Sequence, residues 1–298
     1  MGQARADGLT FGVALRLGRV SNVPTVWTNV AAGVALSGAG FPVALFAVLV
    51  LALSLFYVGG MYLNDAFDRD IDARERPERP IPSGAVPAAT VFSIGFGLIA
   101  AGWLMLLAVG YGPDAGTGWR APLAGALLAG AIVVYDMWHK ANPLSPLIMG
   151  LCRMLVYVTA AVAVAPFVSA EVAVAAVVAL CYLIGLTYAA KQETLGRIEN
   201  AWPLAFLAVA VVYAGWAATA SLVAFLAAAG FLAWLAWSML FLLKPGRINV
   251  PRAVVSLIAG LCLLDAVFIA GAGNTGLALF AGAAFLLTLA LQRHIPGT

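Results

Sequence analysis

The sequence predicts an all-α fold, a polytopic bundle of nine to ten transmembrane helices. Three observations predict it. Of the 298 residues, 63% are apolar and only 10% are charged, against about 25% charged in an ordinary soluble domain. Apolar stretches of roughly 18 to 24 residues recur from residue 22 to residue 292, each about long enough to cross a ~30 Å hydrocarbon core. The basic residues gather at alternate ends of those stretches. This composition excludes a soluble enzyme, a disordered chain and a nucleic-acid binder. It also excludes a β-barrel, whose strands would alternate apolar and polar residues. In lipid every backbone polar group must be satisfied within its own segment, which leaves helices.

In chain order, the first expected span, 22–38, follows Arg5, Arg16 and Arg19. The second, 41–63, ends on a segment containing Arg69, Arg74, Arg76 and Arg79. Spans three and four, 88–110 and 120–138, are followed by Lys140. Spans five and six, 144–166 and 171–190, are followed by Lys191 and Arg197. Spans seven and eight, 201–218 and 220–243, lead to Lys244, Arg247 and Arg252. The last two, 252–271 and 274–292, close on Arg293. Every Lys and Arg except Arg120 and Arg153 therefore lies on one side, which the positive-inside rule makes cytoplasmic. Both ends of the chain are expected there, in the inner (cytoplasmic) membrane of the cell. Ala6 stands where a myristoylation signal needs Ser or Thr, and residues 1–21 show no removable signal peptide. Cys152, Cys181 and Cys262 lie within apolar spans and make no disulfide or metal framework. No hydrophilic stretch is long enough for a second domain, so residues 1–298 are read as one.

The longest polar segment, Asn64–Gly84, follows span two. If that helix continues, Asn64, Asp68 and Asp72 fall at i, i+4 and i+8 on one face, with Asp65 beside it. Converging carboxylates repel unless a divalent cation neutralises them. Mg²⁺ suits such a face, because it takes one or two carboxylates and completes its shell with water and phosphate oxygens. Arg74, Arg76 and Arg79 would supply charge-assisted donors to the same phosphates. The alternative is a solvated loop whose acids and arginines cancel.

The string Asn64-Asp65 … Asp68 … Asp72, followed by Arg79-Pro80-Ile81-Pro82-Ser83-Gly84, resembles the first aspartate-rich motif of the UbiA superfamily of intramembrane prenyltransferases. Arg19-Val20-Ser21-Asn22-Val23-Pro24 similarly looks like that family's opening segment. The resemblance implies a helical bundle, usually of nine spans, around a central lipid-facing cavity. It implies that a polyprenyl diphosphate held by Mg²⁺ ionises there and prenylates a small-molecule acceptor, lipophilic or aromatic. Asp65, Asp68 and Asp72 would hold the metal and serve catalysis. Asn64, Arg19, Asn22, Arg76, Arg79 and Lys140 would hold substrate.

The family's second aspartate-rich segment is altered. Aligned on Lys191, Gln192 and Leu195 stand where aspartates are expected, and Glu199 where the last would be. Leu195 cannot bind a metal. Glu199 is the remaining metal candidate there, and Lys191 and Arg197 are candidate phosphate ligands. This departure, with Tyr135–Lys140 and Cys152-Arg153, looks like an outlying, EboC-like branch. It also supports a rival reading, a non-catalytic UbiA-like transporter or lipid-binding membrane protein.

Arg153 lies within span five, where a cation is expensive and should face the bundle interior. Gly150, Arg153 and Tyr157 share a face. Gly150 is expected to leave room beside the guanidinium, Arg153 to act in catalysis and Tyr157 to touch substrate. The competing role for Arg153 is a pair with Asp136 that ties two helices together. Asp265, alone in span nine, is open between pairing with Arg153 and facing a cavity. His139 is expected at the membrane interface.

Overall fold

Residues 9–112, 116–140, 142–191, 202–243 and 248–297 are described by a computed structural model. They begin with a two-turn helix, α1 (Phe11–Leu17), and a single 3-10 turn at Val20–Asn22. Proline sets the next starts, at positions where its missing N–H costs nothing. Pro24 opens α2 (Pro24–Leu36), and Pro42 precedes α3 (Val43–Phe67). The short α4 (Arg69–Glu75) continues α3, and Pro87 precedes α5 (Ala88–Tyr111). Then come α6 (Arg120–Trp138), α7 (Ser145–Val164) and α8 (Ala170–Lys191). A 3-10 segment at Trp202–Phe206 leads into α9 (Leu207–Ala217). The chain closes with α10 (Leu222–Leu243), α11 (Val250–Gly271) and α12 (Thr275–Gln292).

Each expected span coincides with helix, and among the described residues 8 helices are long and apolar enough to cross a membrane. Two of the ten expected segments are shorter helices among the described residues. The first apolar segment holds only the 13 residues of α2, about 20 Å at 1.5 Å per residue. The chain enters it through Arg19 and a 3-10 turn instead of a longer helix. The seventh segment, Trp202–Ala217, is likewise too short, and its first five residues are 3-10. A short α2 is tolerable because its neighbours are protein: it packs on α3, α7, α11 and α12.

Burial ranks the helices. In α11, 83% of the apolar window is buried, against 28% in α10 and 22% in α12. Thus α2 and α11 are inner helices, and α10 and α12 present their sides to lipid. Lipid is as apolar as leucine, so close packing of small residues has to hold such a bundle together. A Cβ on Gly33 would stand 2.6 Å from the Tyr157 carbonyl oxygen, which is how closely α2 lies on α7. A Cβ on Gly59 would meet the Gly95 carbonyl at 2.8 Å, the corresponding contact of α3 with α5.

The buried apolar residues form one large group centred on α8–α11 and another on α2, α3, α5 and α6. The Asn22 side chain donates to the Gly297 carbonyl at 2.8 Å. The segments before α2 and after α12 therefore meet at the end of the bundle that carries the acidic motif.

Candidate active site

The register of α3 carries the site. Tyr57, Met61, Asn64 and Asp68 recur at helical spacing and line one wall of a cavity of about 390 Å³. The helix changes number at Asp68 but not register. Asp68 N–H donates to the Asn64 carbonyl at 3.0 Å, and Asp72 N–H to the Asp68 carbonyl at 2.8 Å. Backbone i to i+4 bonding thus continues from Asn64 through Asp68 to Asp72 across the α3–α4 junction. The facing walls come from the end of α6 (Tyr135, with His139 and Lys140 beyond it), α7 (Met149, Arg153), α8 (Leu183, Leu186, Thr187, Lys191) and α11 (Val254, Ile258, Leu261).

Every acid of the motif meets a cation. Arg19 Nη2 lies 3.1 Å from Asp65 Oδ1 and donates to Asn64 Oδ1 at 3.3 Å. Arg79 Nη1 bridges Asp72 Oδ2 at 2.7 Å and Asp65 Oδ1 at 3.4 Å. His139 Nε2 and Lys140 Nζ lie 3.4 and 3.7 Å from Asp68 Oδ2, and Lys140 also stands 4.0 Å from Glu75. Arg19 adopts a left-handed backbone with φ 41°, which costs a non-glycine residue roughly 1–2 kcal/mol. Burial alone would lower the pKa of Arg19, but the Asp65 carboxylate beside it holds it above the usual arginine value.

The paired acids face in different directions. Asn64 and Asp68 open on the cavity, whereas Asp65 and Asp72 stand behind Arg19 and Arg79 and do not line it. Among the described residues no three His, Cys, Asp or Glu side chains converge to cage a metal. This donor set fits Mg²⁺, a hard cation that accepts oxygen from one or two carboxylates and the rest from phosphate and water. It does not fit a cation that needs an all-protein cage.

The remaining expected residues divide. Arg19, Asn22, Arg76, Arg79, Lys140, Arg153 and Lys191 all line the cavity. Asn22 is also engaged by the far end of the chain, accepting from Gln292 Nε2 at 2.9 Å. Lys191 Nζ donates to the Asn142 carbonyl at 2.8 Å and Ser145 Oγ at 2.9 Å, tying the end of α8 to the start of α7. Arg197 and Glu199 lie outside the described residues, as do Gln192 and Leu195.

Several expectations are corrected. Tyr157 is fully buried, lines no part of the cavity, and donates its hydroxyl to Asp265. Gly150 makes room for the Leu180 carbonyl of α8, 2.9 Å from its would-be Cβ, and not for Arg153. Asp136 accepts from Asn64 Nδ2 at 3.1 Å, while Arg153 donates to Asn29 Oδ1 at 2.5 Å, so the two do not pair. His139 is turned inward, stacked on Tyr135 with ring centroids 4.8 Å apart.

Sequence reasoning gave Tyr57, Tyr135, His139 and Asp136 no place in the site. Tyr57 and Met61 had a usable signal, since they continue the Asn64–Asp68 stripe toward the N-terminus of α3. Asp136 had none, because its role depends on where α6 ends against α3. Its Oδ2 is buried without a hydrogen-bond partner among the described residues. Asp136 also lines a smaller apolar cavity of about 80 Å³ with Phe56, Leu128, Ile132, Cys152 and Val156, which Arg153 borders as well. The larger cavity, which carries the charged residues, thus adjoins a smaller apolar one, and Arg153 stands at their junction.

The chain is also similar to known proteins. The profile of the family described as "UbiA prenyltransferase family" matches residues 25–247. A digeranylgeranylglyceryl phosphate synthase of Ignicoccus hospitalis is 37% identical over 122 residues, 41% of this chain and 36% of that protein. The Metallosphaera sedula synthase of the same name is 42% identical over 62 residues, 21% of this chain and 22% of its own length. The alignments thus span about a quarter to a third of those curated relatives. A solved structure from work on digeranylgeranylglyceryl phosphate synthase in membranes superposes with a TM-score of 0.61 at 18% identity, over 87% of this chain and 97% of that one. The apo structure of a UbiA homolog from Aeropyrum pernix K1 gives 0.52 at 16% identity, over 91% and 95%. At these identities the two structures speak for the fold.

Proposed function

This chain belongs to the UbiA prenyltransferase family, and from that premise we propose that it transfers a prenyl group from a polyprenyl diphosphate to a lipophilic acceptor. The observation that carries the reading is a cavity with a charged mouth that adjoins a smaller apolar one. Asn64 and Asp68 face that cavity, and Arg19, Arg76, Arg79, Lys140 and Lys191 surround them. The basic end of the bundle is the cytoplasmic one by charge placement, so the diphosphate would enter from that side.

Asp68 and Asn64 would hold a Mg²⁺ ion, which supplies positive charge to the leaving diphosphate. Arg79, Arg19 and Lys140 act on the same oxygens. They now neutralise Asp65, Asp72 and Asp68, and would exchange those carboxylates for phosphate as the ligand enters. The bond between the allylic carbon and oxygen breaks, and its electron pair leaves with the diphosphate. Cations fixed before the reaction stabilise that charge without reorganising. The apolar cavity beside Arg153 keeps water from the allylic carbon until the acceptor attacks. The acceptor class follows the relatives: their names point to a glyceryl phosphate lipid, and the apolar wall of α8 and α11 suits lipid chains.

The test is binding of geranylgeranyl diphosphate, measured by calorimetry on detergent-purified protein with and without Mg²⁺. Asp68→Asn should weaken the Mg²⁺-dependent affinity about tenfold or more, as expected for losing a charge-assisted contact. Unchanged affinity in a folded variant removes Asp68 from the ligand site. Tight binding with no prenylated product from lipid extracts would move the protein to the lipid-binding reading.

A further inference from the structure

The centre of the bundle holds a polar cluster that the reaction above does not use. Asp265, in the middle of α11, is fully buried, as are Thr28, Asn29 and Tyr157 around it. A buried carboxylate is very costly unless it is hydrogen-bonded and its charge is balanced. Asp265 Oδ2 accepts from Thr28 Oγ1 at 2.5 Å and from Asn29 Nδ2 at 2.6 Å. Its Oδ1 accepts from the Tyr157 hydroxyl, which in turn accepts from Asn29 Nδ2 at 2.9 Å. Three donors from α2 and α7 therefore converge on one acid of α11.

The balancing charge is one residue away. Asn29 Oδ1 accepts from Arg153 Nη1 at 2.5 Å, and Thr25 Oγ1 lies 3.4 Å from the same nitrogen. The amide of Asn29 has only one workable orientation. Turned over, it would press its NH₂ on the guanidinium and its oxygen on the carboxylate. Asp265 thus fixes the orientation of Asn29, and Asn29 fixes Arg153. Arg153 borders both the polar and the apolar cavity, so its direction decides where a charge stands at their junction.

We propose that Asp265 is a positioning residue: acting through Asn29, it holds the Arg153 guanidinium at the junction of the two cavities, where a prenyl diphosphate passes from polar head to apolar tail. Asp265 itself touches no ligand. This rests on the reading that the cavity binds prenyl diphosphate. It also accounts for a mid-membrane acid, which would otherwise be a burden without a return.

The experiment compares geranylgeranyl diphosphate affinity, with Mg²⁺, in four proteins alongside their melting temperatures. Asp265→Asn removes the charge while keeping the shape, and should weaken binding about tenfold or more. Exchanging the pair, as Asn29→Asp with Asp265→Asn, moves the carboxylate next to Arg153 and should restore affinity to within about threefold of the wild type. A role confined to packing would not be rescued by moving the charge. Should Asp265→Asn fail to fold, Asn29→Ala cuts the same link and should show the same loss. Affinity within about twofold of wild type in Asp265→Asn or Asn29→Ala overturns the proposal, and so does a loss that the exchanged pair leaves unrepaired. A wild-type protein that binds no prenyl diphosphate sinks the proposed function together with this inference. Wild-type binding with unaffected variants sinks this inference alone.

Discussion

Two sets of buried carboxylates in this molecule are satisfied in opposite ways. At the mouth, Asp65, Asp68 and Asp72 are met by full charges on long side chains: Arg19, Arg79 and Lys140. At the centre, Asp265 is met by short neutral donors, Thr28, Asn29 and Tyr157, with Arg153 one step removed. The difference follows from what each place must allow. Long cations at the mouth can exchange a carboxylate for a phosphate without moving a helix. Short donors in the core belong to rigid helices and cannot leave. Pairing at the mouth is therefore replaceable by ligand, and pairing in the core fixes geometry.

The largest test of that contrast is Arg79→Ala. Asp72 keeps only 2% of its side-chain surface exposed, and among the described residues Arg79 is its ion partner as well as one of two for Asp65. Removing one member of a buried pair strands the other, at a cost of about 3 kcal/mol, the low end of the usual range because the cavity mouth admits water. Thermal unfolding in detergent should show the loss, and Arg79→Ala with Asp72→Asn should recover part of it. If the double variant is no more stable than the single one, the stranded charge is not the cause.

Tyr157→Phe probes the core set and comes next. It deletes one donor to Asp265 and one acceptor for Asn29 without changing shape. The expected loss is about 1–2 kcal/mol of stability, read by the same unfolding measurement. A variant as stable as wild type would mean that Asp265 does not depend on this donor, and would weaken the description of the core as rigidly fixed.

The two regions were also unequally legible in the sequence. The mouth could be read because its residues are neighbours in the chain: spacing alone brings Asn64, Asp65, Asp68 and Asp72 together at one end of α3, although only Asn64 and Asp68 line the cavity. Helical spans were legible for the same reason, since length and hydropathy are local. The short α2 was not, because a helix wrapped by protein need not match the bilayer. Nor was the core network, whose members Asn29, Arg153, Tyr157 and Asp265 come from three helices. Tyr157 was misassigned to substrate on helical spacing from Arg153, although its partner lies on α11. His139 showed no ligand nearby in sequence, yet the fold sets it 3.4 Å from Asp68.

The smallest expected effect is the sharpest check on the mouth. Lys140 keeps 42% of its side-chain surface exposed, and its contacts to Asp68 and Glu75 are long, at 3.7 and 4.0 Å. Asp68 has a second neighbour in His139, so removing Lys140 does not leave the acid alone. Lys140→Ala should accordingly change stability by no more than about 0.5 kcal/mol, as for other exposed pairs. Its effect should instead appear in ligand binding, where the ammonium is free to leave Asp68 for a phosphate oxygen. Because the site is open to salt, the dependence of geranylgeranyl diphosphate affinity on ionic strength should flatten in the variant. Arg79→Ala should lose stability first, while Lys140→Ala should lose salt sensitivity and little else. If Lys140→Ala instead unfolds the protein as readily as Arg79→Ala, the mouth is as rigid as the core, and its cations are not free to be exchanged for a ligand.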